Sequence, residues 1–437
     1  MTKKLFGTDG VRGVAGEKLT AELAVALGRA AAAEARAERP QVLIVRDTRE
    51  SGPMLESGLA AGIAQGGGDA LIAGVVPTPA ASILVRRLGL DLAVVVSASH
   101  NPWRDNGIKF FGRDGTKLPD ESEDRVEASI AAVSGPPRAL GAIRELHGAF
   151  DDYLRELAGT FEFDLSGVRV VLDCANGSTH RAAPAAFERL GAGVEVLCAD
   201  PDGRNINEGC GSTHPERLAE RVVASGADLG FAYDGDGDRV IAVDAGGTIR
   251  DGDEMISLIA KQLGEAGSLG GGVAVTVMSN FGFHSAMEEA GVEVATTPVG
   301  DRHVSFELDR RGWSLGGEQS GHVIWTGFAP TGDGIAASLL VARALAGRPL
   351  ADAIPMTKLP QTLVNVEVAD NDAVEDASGL WAEVKREGAG LEGRGRVLVR
   401  PSGTEPLVRV MVEAPEQAEA DEVAARLVEV VKRQLGR

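Results

Sequence analysis

"DLAVVVSASHNPWRDNGIKFF", residues Asp91 to Phe111, opens on an apolar run and then stops on a serine, a histidine, an asparagine and a proline. Pro102 removes an amide hydrogen and pushes Asn101 into extended geometry, which terminates a strand and turns its last side chains outward. Upstream lie two further strand-like runs, "QVLIVRD" (41–47) and "DALIAGVV" (69–76), and the third run spans 92–99. Helical patterns at about 20–38, 53–66 and 78–89 alternate with them. Apolar strands alternating with amphipathic helices specify β-α-β units around a mostly parallel sheet.

The same grammar restarts twice. A Pro/Gly stretch, "SGPPRALGA" (134–142), closes the first unit, and the helical "AFDDYLRELAG" leads to strands in "VRVVLDCANG" (168–177), "VEVLCAD" (194–200), "ADLGFAYDGDGDR" (227–239) and "RVIAVDAGG" (239–247). A glycine-rich segment then introduces "GGVAVTVMS", "VEVATTPVG" (292–300) and "GGEQSGH" (316–322). The final stretch differs. "QTLVNVEV", a helix near 376–387, "RVLVRPSGTEPLVRVMVEA" and a helix from about 415 suggest antiparallel pairing in a smaller α+β domain. The expected fold class is therefore α/β, with three similar α/β domains (1–150, 151–250 and 251–364) followed by an α+β domain (365–437). A chain of 437 residues suits three or four domains at about 150 residues each.

With 44 Lys+Arg against 64 Asp+Glu, the formal charge is −20, and aromatics are only 4%. That balance argues against a general nucleic-acid or anionic-membrane surface. An anionic ligand must then be held by local basic groups and backbone amides. No run approaches the roughly 18 apolar residues of a membrane span, and "MTKKLFGTDG" lacks the apolar core of a signal peptide. A soluble cytoplasmic protein is expected. Cys174, Cys198 and Cys210 are odd in number and widely spaced, with no C-x-x-C pair, and read as buried or incidental thiols in a reducing compartment.

Ligands of parallel α/β sheets sit beyond the carboxyl ends of strands, so "SASHNP" is a candidate site as well as an Asn-Pro turn with a capping serine. Ser97 and Ser99 are two apart, and a continuing strand would point both to one face. Position favours Ser99, beside His100 and ten residues before Lys109. A serine needs help from a base, a cation or a metal to act as a nucleophile.

"DGDGDR" spaces Asp234, Asp236 and Asp238 with glycines, again after an apolar run. Three carboxylates without His or Cys are hard ligands for Mg²⁺, Mn²⁺ or Ca²⁺, and their mutual repulsion is what a cation relieves. An EF-hand is excluded because its required glycine and glutamate positions hold Arg239 and Ala245. "RPSGTEPLVR" (400–409) offers Ser402, Gly403 and Thr404 between Arg400 and Arg409, either a phosphate cradle or a plain β-turn. In "GGEQSGH", Glu318, Gln319 and Ser320 can read sugar hydroxyls and His322 can move a proton. "FGTDGVRG" adds Arg12, and "RDTRESG" adds Arg46 and Arg49, each of which could equally be a solvated surface group.

Taken in order, "FGTDGVRG", "SASHNP", "DGDGDR", "GGEQSGH" and "RPSGTEP" resemble the α-D-phosphohexomutases over essentially the whole chain. The resemblance implies three similar α/β domains and a C-terminal α+β domain around a central active-site cleft. It implies that Ser99 is the phosphorylated nucleophile, and that Asp234, Asp236 and Asp238 bind one Mg²⁺ per subunit together with an oxygen on Ser99. Arg12, His100 and Lys109 would surround the phosphoserine. Glu318, Gln319 and Ser320 would read the sugar, and Arg400, Ser402, Gly403, Thr404 and Arg409 would hold the phosphate not being transferred. His322 or Lys109 would serve as the base.

Gln319 after Glu318, with the overall motif wording, points to the branch of that family acting on glucosamine phosphates. The implied reaction interconverts the 6- and 1-phosphates through a 1,6-bisphosphate, primed by a hexose 1,6-bisphosphate and feeding UDP-N-acetylglucosamine and cell-wall synthesis. A homodimer is compatible with the resemblance. Rival readings are a phosphomannomutase/phosphoglucomutase of the same fold and a non-catalytic sugar-phosphate sensor.

Overall fold

The apolar run that opens the sequence reading becomes the strand Leu92–Val96, third from the edge of a six-stranded sheet. In this computed structural model, which describes residues 5–7, 9–132, 139–370, 373–401 and 406–436, that sheet runs Val11–Val14, Asp105–Gly112, Leu92–Val96, Gln41–Arg46, Asp69–Val75, Ile143–Glu145. From Leu92–Val96 onward each strand is parallel to the next, Leu92–Val96 to Gln41–Arg46, Gln41–Arg46 to Asp69–Val75 and Asp69–Val75 to Ile143–Glu145. Alternate residues Val42, Ile44, Val94 and Val96 pack with Leu27, Leu55, Leu59 and Ile63 of the helices Ala21–Glu34 and Gly52–Gln65. Leu43, Val45 and Val95 are buried too, on the face that meets the helix Thr78–Arg87. Both faces are covered, which is why the strands carry no polar alternation.

Two corrections to the sequence reading bear on the site. The third strand ends at Val96, not Ser99, because Ser99 takes φ 52° and breaks the extended run. The sheet is also more mixed than expected. Asp105–Gly112 returns antiparallel, pairing Val95 with Lys109, and Val11–Val14 adds to it antiparallel. "SASHNP" is thus a reversal between paired strands rather than a β-to-α connection.

By internal contacts the chain forms two units, residues 1–278 with 292–354 and residues 279–291 with 355–437. The first holds two more mixed sheets. One is five-stranded, in the order Ile249–Arg250, Val240–Asp244, Leu229–Tyr233, Arg169–Asp173, Gly193–Leu197. The other is four-stranded, in the order Glu293–Thr297, Gly272–Thr276, Leu315–Gly317, Val323–Trp325. The second unit is an antiparallel sheet, Gln361–Glu367, Leu407–Glu413, Arg396–Pro401, with the helices Ser378–Gly390 and Gln417–Leu435. Its core sets Val399, Val408, Val410 and Val412 against Val423, Leu427 and Val431. The helix Phe281–Glu289 belongs to this unit, anchored where the buried Glu413 accepts from the Phe281 amide (2.7 Å) and from Arg396 (2.8 Å). Ser402, Gly403 and Thr404 lie outside the described residues, as do the first four residues and most of the Pro/Gly stretch after residue 132. Among the described residues no helix is long and apolar enough to cross a membrane.

The helices Ala21–Glu34 and Gly52–Gln65 touch backbone to backbone, and a Cβ at Gly62 would run into the Val25 carbonyl. Overpacking a closed contact costs about 1–3 kcal/mol. Gly62→Ala should therefore lower the thermal unfolding midpoint, measured by calorimetry; an unchanged midpoint would show that the helices separate freely.

Candidate active site and cation centre

The shape of the 97–105 loop is set by a buried arginine. Arg49, wholly excluded from solvent, donates from Nε to Asp47 (2.8 Å). Its other donors reach the carbonyls of Ser99 (2.8 Å), Asn101 (2.8 Å), Asp105 (3.0 Å) and Pro102. Asn207 adds its side-chain amide to the Ser99 (2.9 Å) and Asn101 (3.1 Å) carbonyls. A planar fork of several donors suits a loop whose carbonyls have no ladder partners. The Ser97 hydroxyl donates to Asp47 (2.6 Å) and accepts the Ser99 amide (2.9 Å). So braced, Ser99 is held in the left-handed region, where a non-glycine residue pays about 1–2 kcal/mol. Its Oγ donates to Asp234 (2.5 Å) and lies 3.3 Å from His100 Nδ1. The two serines differ: Ser97 is consumed in the brace, and Ser99 faces the aspartates.

Asp234, Asp236 and Asp238 leave the strand Leu229–Tyr233 on a tight turn, with Asp234 accepting the amides of Gly237 (3.0 Å) and Arg239 (3.2 Å). Gly235 sits against the serine loop, where a Cβ would come within 2.7 Å of the Ser99 carbonyl. The three carboxylates are buried, with ligand oxygens within 4.8 Å of one another. One oxygen each of Asp236 and Asp238 is buried and accepts no hydrogen bond. Burial, reinforced by Asp236 and Asp238, lifts the Asp234 carboxyl well above the usual range. Asp238 is held below that range against its burial, by His322 and Lys109. Crowded hard ligands with orphaned oxygens fit a divalent cation.

Basic groups close a ring of alternating charge. Lys109, buried on the strand Asp105–Gly112, reaches Asp236 (3.3 Å), Asp238 (3.9 Å) and Asp9 (3.0 Å). Lys117 bridges Asp9 and Asp301, at 2.5 Å each. His322 lies between Asp301 (3.6 Å) and Asp238 (3.7 Å). Burial opposes charge on Lys109 and His322, but the facing carboxylates outweigh it and raise both pKa values. Lys109 is accordingly a fixed cation. The Gly332 amide points at His322 Nε2 (3.2 Å), so the neutral ring would carry its proton on Nδ1. His100 goes the other way: burial, with Arg239 and Arg12 nearby, lowers its pKa to about 4. Arg12, on the edge strand, pairs with Asp9 and keeps a buried Nε without a hydrogen bond.

The sugar-loop candidates are split. Glu318 takes the Gly300 amide (3.1 Å) and lies near enough to Arg239 to support its charge. Gln319 instead turns to Asp251 (3.3 Å), and Ser320 is exposed. In the second unit Arg400 and Arg409 are direct cross-strand partners. Burial and the Arg409 charge depress the Arg400 pKa, and Arg409 Nε is buried with no partner among the described residues. Arg46 pairs with Glu56 (3.2 Å), away from the aspartates.

Models of the phosphoglucomutase/phosphomannomutase family match the chain in four consecutive pieces: α/β/α domain I over 3–135, domain II over 151–247, domain III over 251–359 and the C-terminal domain over 363–430. The chain belongs to this family. It is 51% identical over 438 residues to a phosphoglucosamine mutase of Moorella thermoacetica, covering 98% of this chain and 99% of that one. A phosphoglucosamine mutase of Desulforudis audaxviator is 50% identical, covering 98% and 97%. A crystal structure of a phosphoglucomutase/phosphomannomutase family protein from Burkholderia thailandensis superposes with TM-score 0.85 at 26% identity, covering 99% and 98%.

Asp47, Thr78, Asn207, Lys117, Arg239 and Asp301 were not among the site candidates read from sequence, yet all touch the serine loop or the charge ring. Thr78, for example, donates to Asp236 (2.7 Å). Asp301 had a usable signal, a polar "GDRH" directly after a strand, the same rule that drew attention to "SASHNP".

Arg49→Lys keeps the charge and loses the fork. Each buried carbonyl left unpaired costs about 1–3 kcal/mol, so this variant should melt well below wild type; a Tm within a degree or so would mean that Asn207 alone suffices. Mg²⁺ titrated into wild type should raise Tm by mass action, roughly 2.7 kcal/mol at a hundredfold excess over Kd. Asp236→Asn with Asp238→Asn should abolish that rise, and an equal rise in the double variant would move the ion elsewhere.

Proposed function

We propose that the protein is a phosphoglucosamine mutase, interconverting glucosamine 6-phosphate and glucosamine 1-phosphate. The observation that carries this is Ser99 Oγ hydrogen-bonded to Asp234 at the edge of a buried three-aspartate cluster. The sugar is supported by the names of relatives at about half identity over nearly the full length. In this reading residues 1–150 bring the phosphoserine loop, 151–250 the cation loop, 251–364 the sugar loop and 365–437 the distal phosphate loop. The reaction would take place in the cytoplasm, where such sugar phosphates occur.

Ser99 enters the cycle phosphorylated, primed by a hexose 1,6-bisphosphate. The bond from Ser99 Oγ to phosphorus breaks as a bond from phosphorus to the sugar O1 forms; the O1 proton leaves to a base and Ser99 Oγ takes up a proton. The bisphosphate then presents its other end, and Ser99 Oγ gives up its proton and takes the 6-phosphoryl group while the sugar O6 takes up a proton and the 1-phosphate is released. Phosphoryl transfer is governed by positioning and charge neutralisation. Asp234, Asp236 and Asp238 would hold one Mg²⁺, which supplies positive charge to the transferring oxygens. Arg12, Arg239 and Lys109 add fixed cations, with Lys109 serving as charge because its carboxylate partners keep it protonated. Neutral His100 stands beside the serine hydroxyl as an available proton acceptor. His322 orients Asp238 and is a candidate for proton traffic at the sugar, next to Glu318, Gln319 and Ser320. Arg400 and Arg409, with Ser402, Gly403 and Thr404, would grip the phosphate that stays.

Ser99→Ala should lose essentially all turnover of glucosamine 6-phosphate, in a coupled assay with Mg²⁺ and a hexose bisphosphate, and should lack the phosphate adduct seen in wild-type intact mass. Full turnover by that variant would remove Ser99 from the reaction. Glucosamine phosphate should also outpace glucose and mannose phosphates in kcat/KM; the reverse order would favour the phosphoglucomutase/phosphomannomutase reading. Charge-assisted bonds are worth about 1.5–3 kcal/mol each, so Arg409→Ala should raise KM by roughly ten- to a hundredfold.

A further inference from the structure

The carboxyl ends of two adjacent parallel strands, Arg169–Asp173 and Gly193–Leu197, gather a second cluster that the mutase chemistry does not use. Asp173, Cys198 and Cys210 bring their ligand atoms within 4.8 Å of one another, although the two cysteines are twelve residues apart in sequence. Spacing gave no hint of this, since the sequence holds no C-x-x-C pair. Cys198 is half-buried, with the Arg217 guanidinium 3.6 Å from its sulfur, while Cys210 is fully buried behind it. Cys198 also holds φ 48°, the left-handed region that a side chain rarely adopts. An accessible thiol beside a cation, backed by a buried second thiol, is the arrangement of an attacking and a resolving cysteine. A divalent ion fits less well. Both Asp173 oxygens already accept backbone amides, from Ala175 (2.9 Å) and Gly211 (3.0 Å), and the Arg217 cation stands at the open side.

We propose that Cys198 and Cys210 form a reversible disulfide, with a low-molecular-weight disulfide as oxidant, and that its closure loosens the hold on the Ser99 loop. Cys198 thiolate attacks one sulfur of the small disulfide, whose S–S bond breaks to release one small thiol. Cys210 then attacks Cys198 Sγ, expelling the second. Two protein thiols become one S–S bond, and their two electrons and two protons leave on the two small thiols. Hydrogen bonding from Cys210 and the Arg217 charge lower the Cys198 pKa, whereas burial and Asp173 raise it; the first pair prevails. The hydrogen bond with Cys198 and burial raise the Cys210 pKa, so the first attack falls to Cys198 and Cys210 gives up its proton only as it closes on the mixed disulfide; Cys174, fully buried, is not one of the three clustered ligand groups.

The bond would close a ring around residues 199–209, and that ring holds the serine loop. Asn207 binds the Ser99 and Asn101 carbonyls, and Gly203 accepts the Glu50 amide (2.9 Å), one residue from Arg49. Bringing the sulfurs to about 2.05 Å would tie the two ends of this ring together and pull on the backbone between them. The thiol chemistry is independent of the mutase reading, while its effect on turnover rests on it.

Full-length protein freed of reductant and incubated with oxidised glutathione should lose two hydrogens in intact mass and yield a reducible link between the Cys198 and Cys210 peptides. Turnover should fall several-fold and recover with dithiothreitol. Cys198→Ser should resist both changes, and Cys210→Ser should stop with one glutathionyl group on Cys198. If Cys210→Ser does not fold, selective native alkylation of Cys198 in wild type should likewise block the link. Three alkylatable thiols after saturating oxidant, or a link to Cys174, would overturn the pair. A Cys198–Cys210 link with unchanged turnover would overturn its coupling to Ser99. Protein with no turnover before oxidation would indict the mutase reading and leave the mass result to stand alone.

Discussion

The structure around Ser99 depends on one buried ion pair, Asp47 with Arg49, both fully removed from solvent. A buried pair of this kind is a weak source of stability, because desolvation consumes much of the attraction. Its value lies in what the guanidinium does with its remaining donors. The loop that reverses the chain after Val96 presents carbonyls to a dry interior, and an unpaired buried carbonyl is costly. Arg49 satisfies those of Ser99, Asn101, Pro102 and Asp105 at once, so the loop has one low-energy shape. Ser99 can then hold a left-handed backbone with its hydroxyl fixed on Asp234.

That placement is useful only because the charges around it are balanced locally in a protein with a formal charge of −20. The ring Asp236, Lys109, Asp9, Lys117, Asp301, His322, Asp238 draws on segments contributing to all three sheets of the larger unit. Every buried cation in it touches carboxylates on two sides, and this sustains charge where burial alone would remove it. The same ring explains why Lys109 is better suited to charge neutralisation than to proton abstraction. Giving up its proton would leave Asp9 and Asp236 facing each other without the cation between them.

The sequence made the α/β grammar legible because strands covered on both faces read as continuous apolar runs, as in "LAVVV" and "QVLIV". It also brought out Ser99 and the aspartates, since polar residues directly after such runs are conspicuous. What it hid was long-range. Nothing local to "DNGIKFF" says that it returns antiparallel, a choice made by pairing with Val95 and with Val11–Val14. Arg49 sits in "RDTRESG" looking like any surface arginine, and its burial follows from a loop fifty residues away. Ser97 and Ser99 were equivalent by strand spacing until the strand ended early. The hydrogen bond from Gln319, expected to read the sugar, to the helix-capping Asp251 is likewise a long-range contact that the local sequence does not announce.

The two units share a physical device of opposite sign. In the larger, three aspartates crowd within 4.8 Å, and burial together with their repulsion pushes the Asp234 carboxyl far above its ordinary pKa. In the smaller, Arg400 and Arg409 oppose each other across a strand pair, where like charges destabilise a sheet, and burial together with the Arg409 charge depresses the Arg400 pKa. Neither arrangement helps the chain fold. Each becomes favourable when a complementary charge arrives, a cation in the first and a phosphate in the second. On the proposed reading, a metal ion would supply the charge at the first cluster and a sugar phosphate the charge at the second. The electrostatic cost of each cluster would then favour ligands of matching charge, and a neutral sugar would recover none of it at the arginine pair.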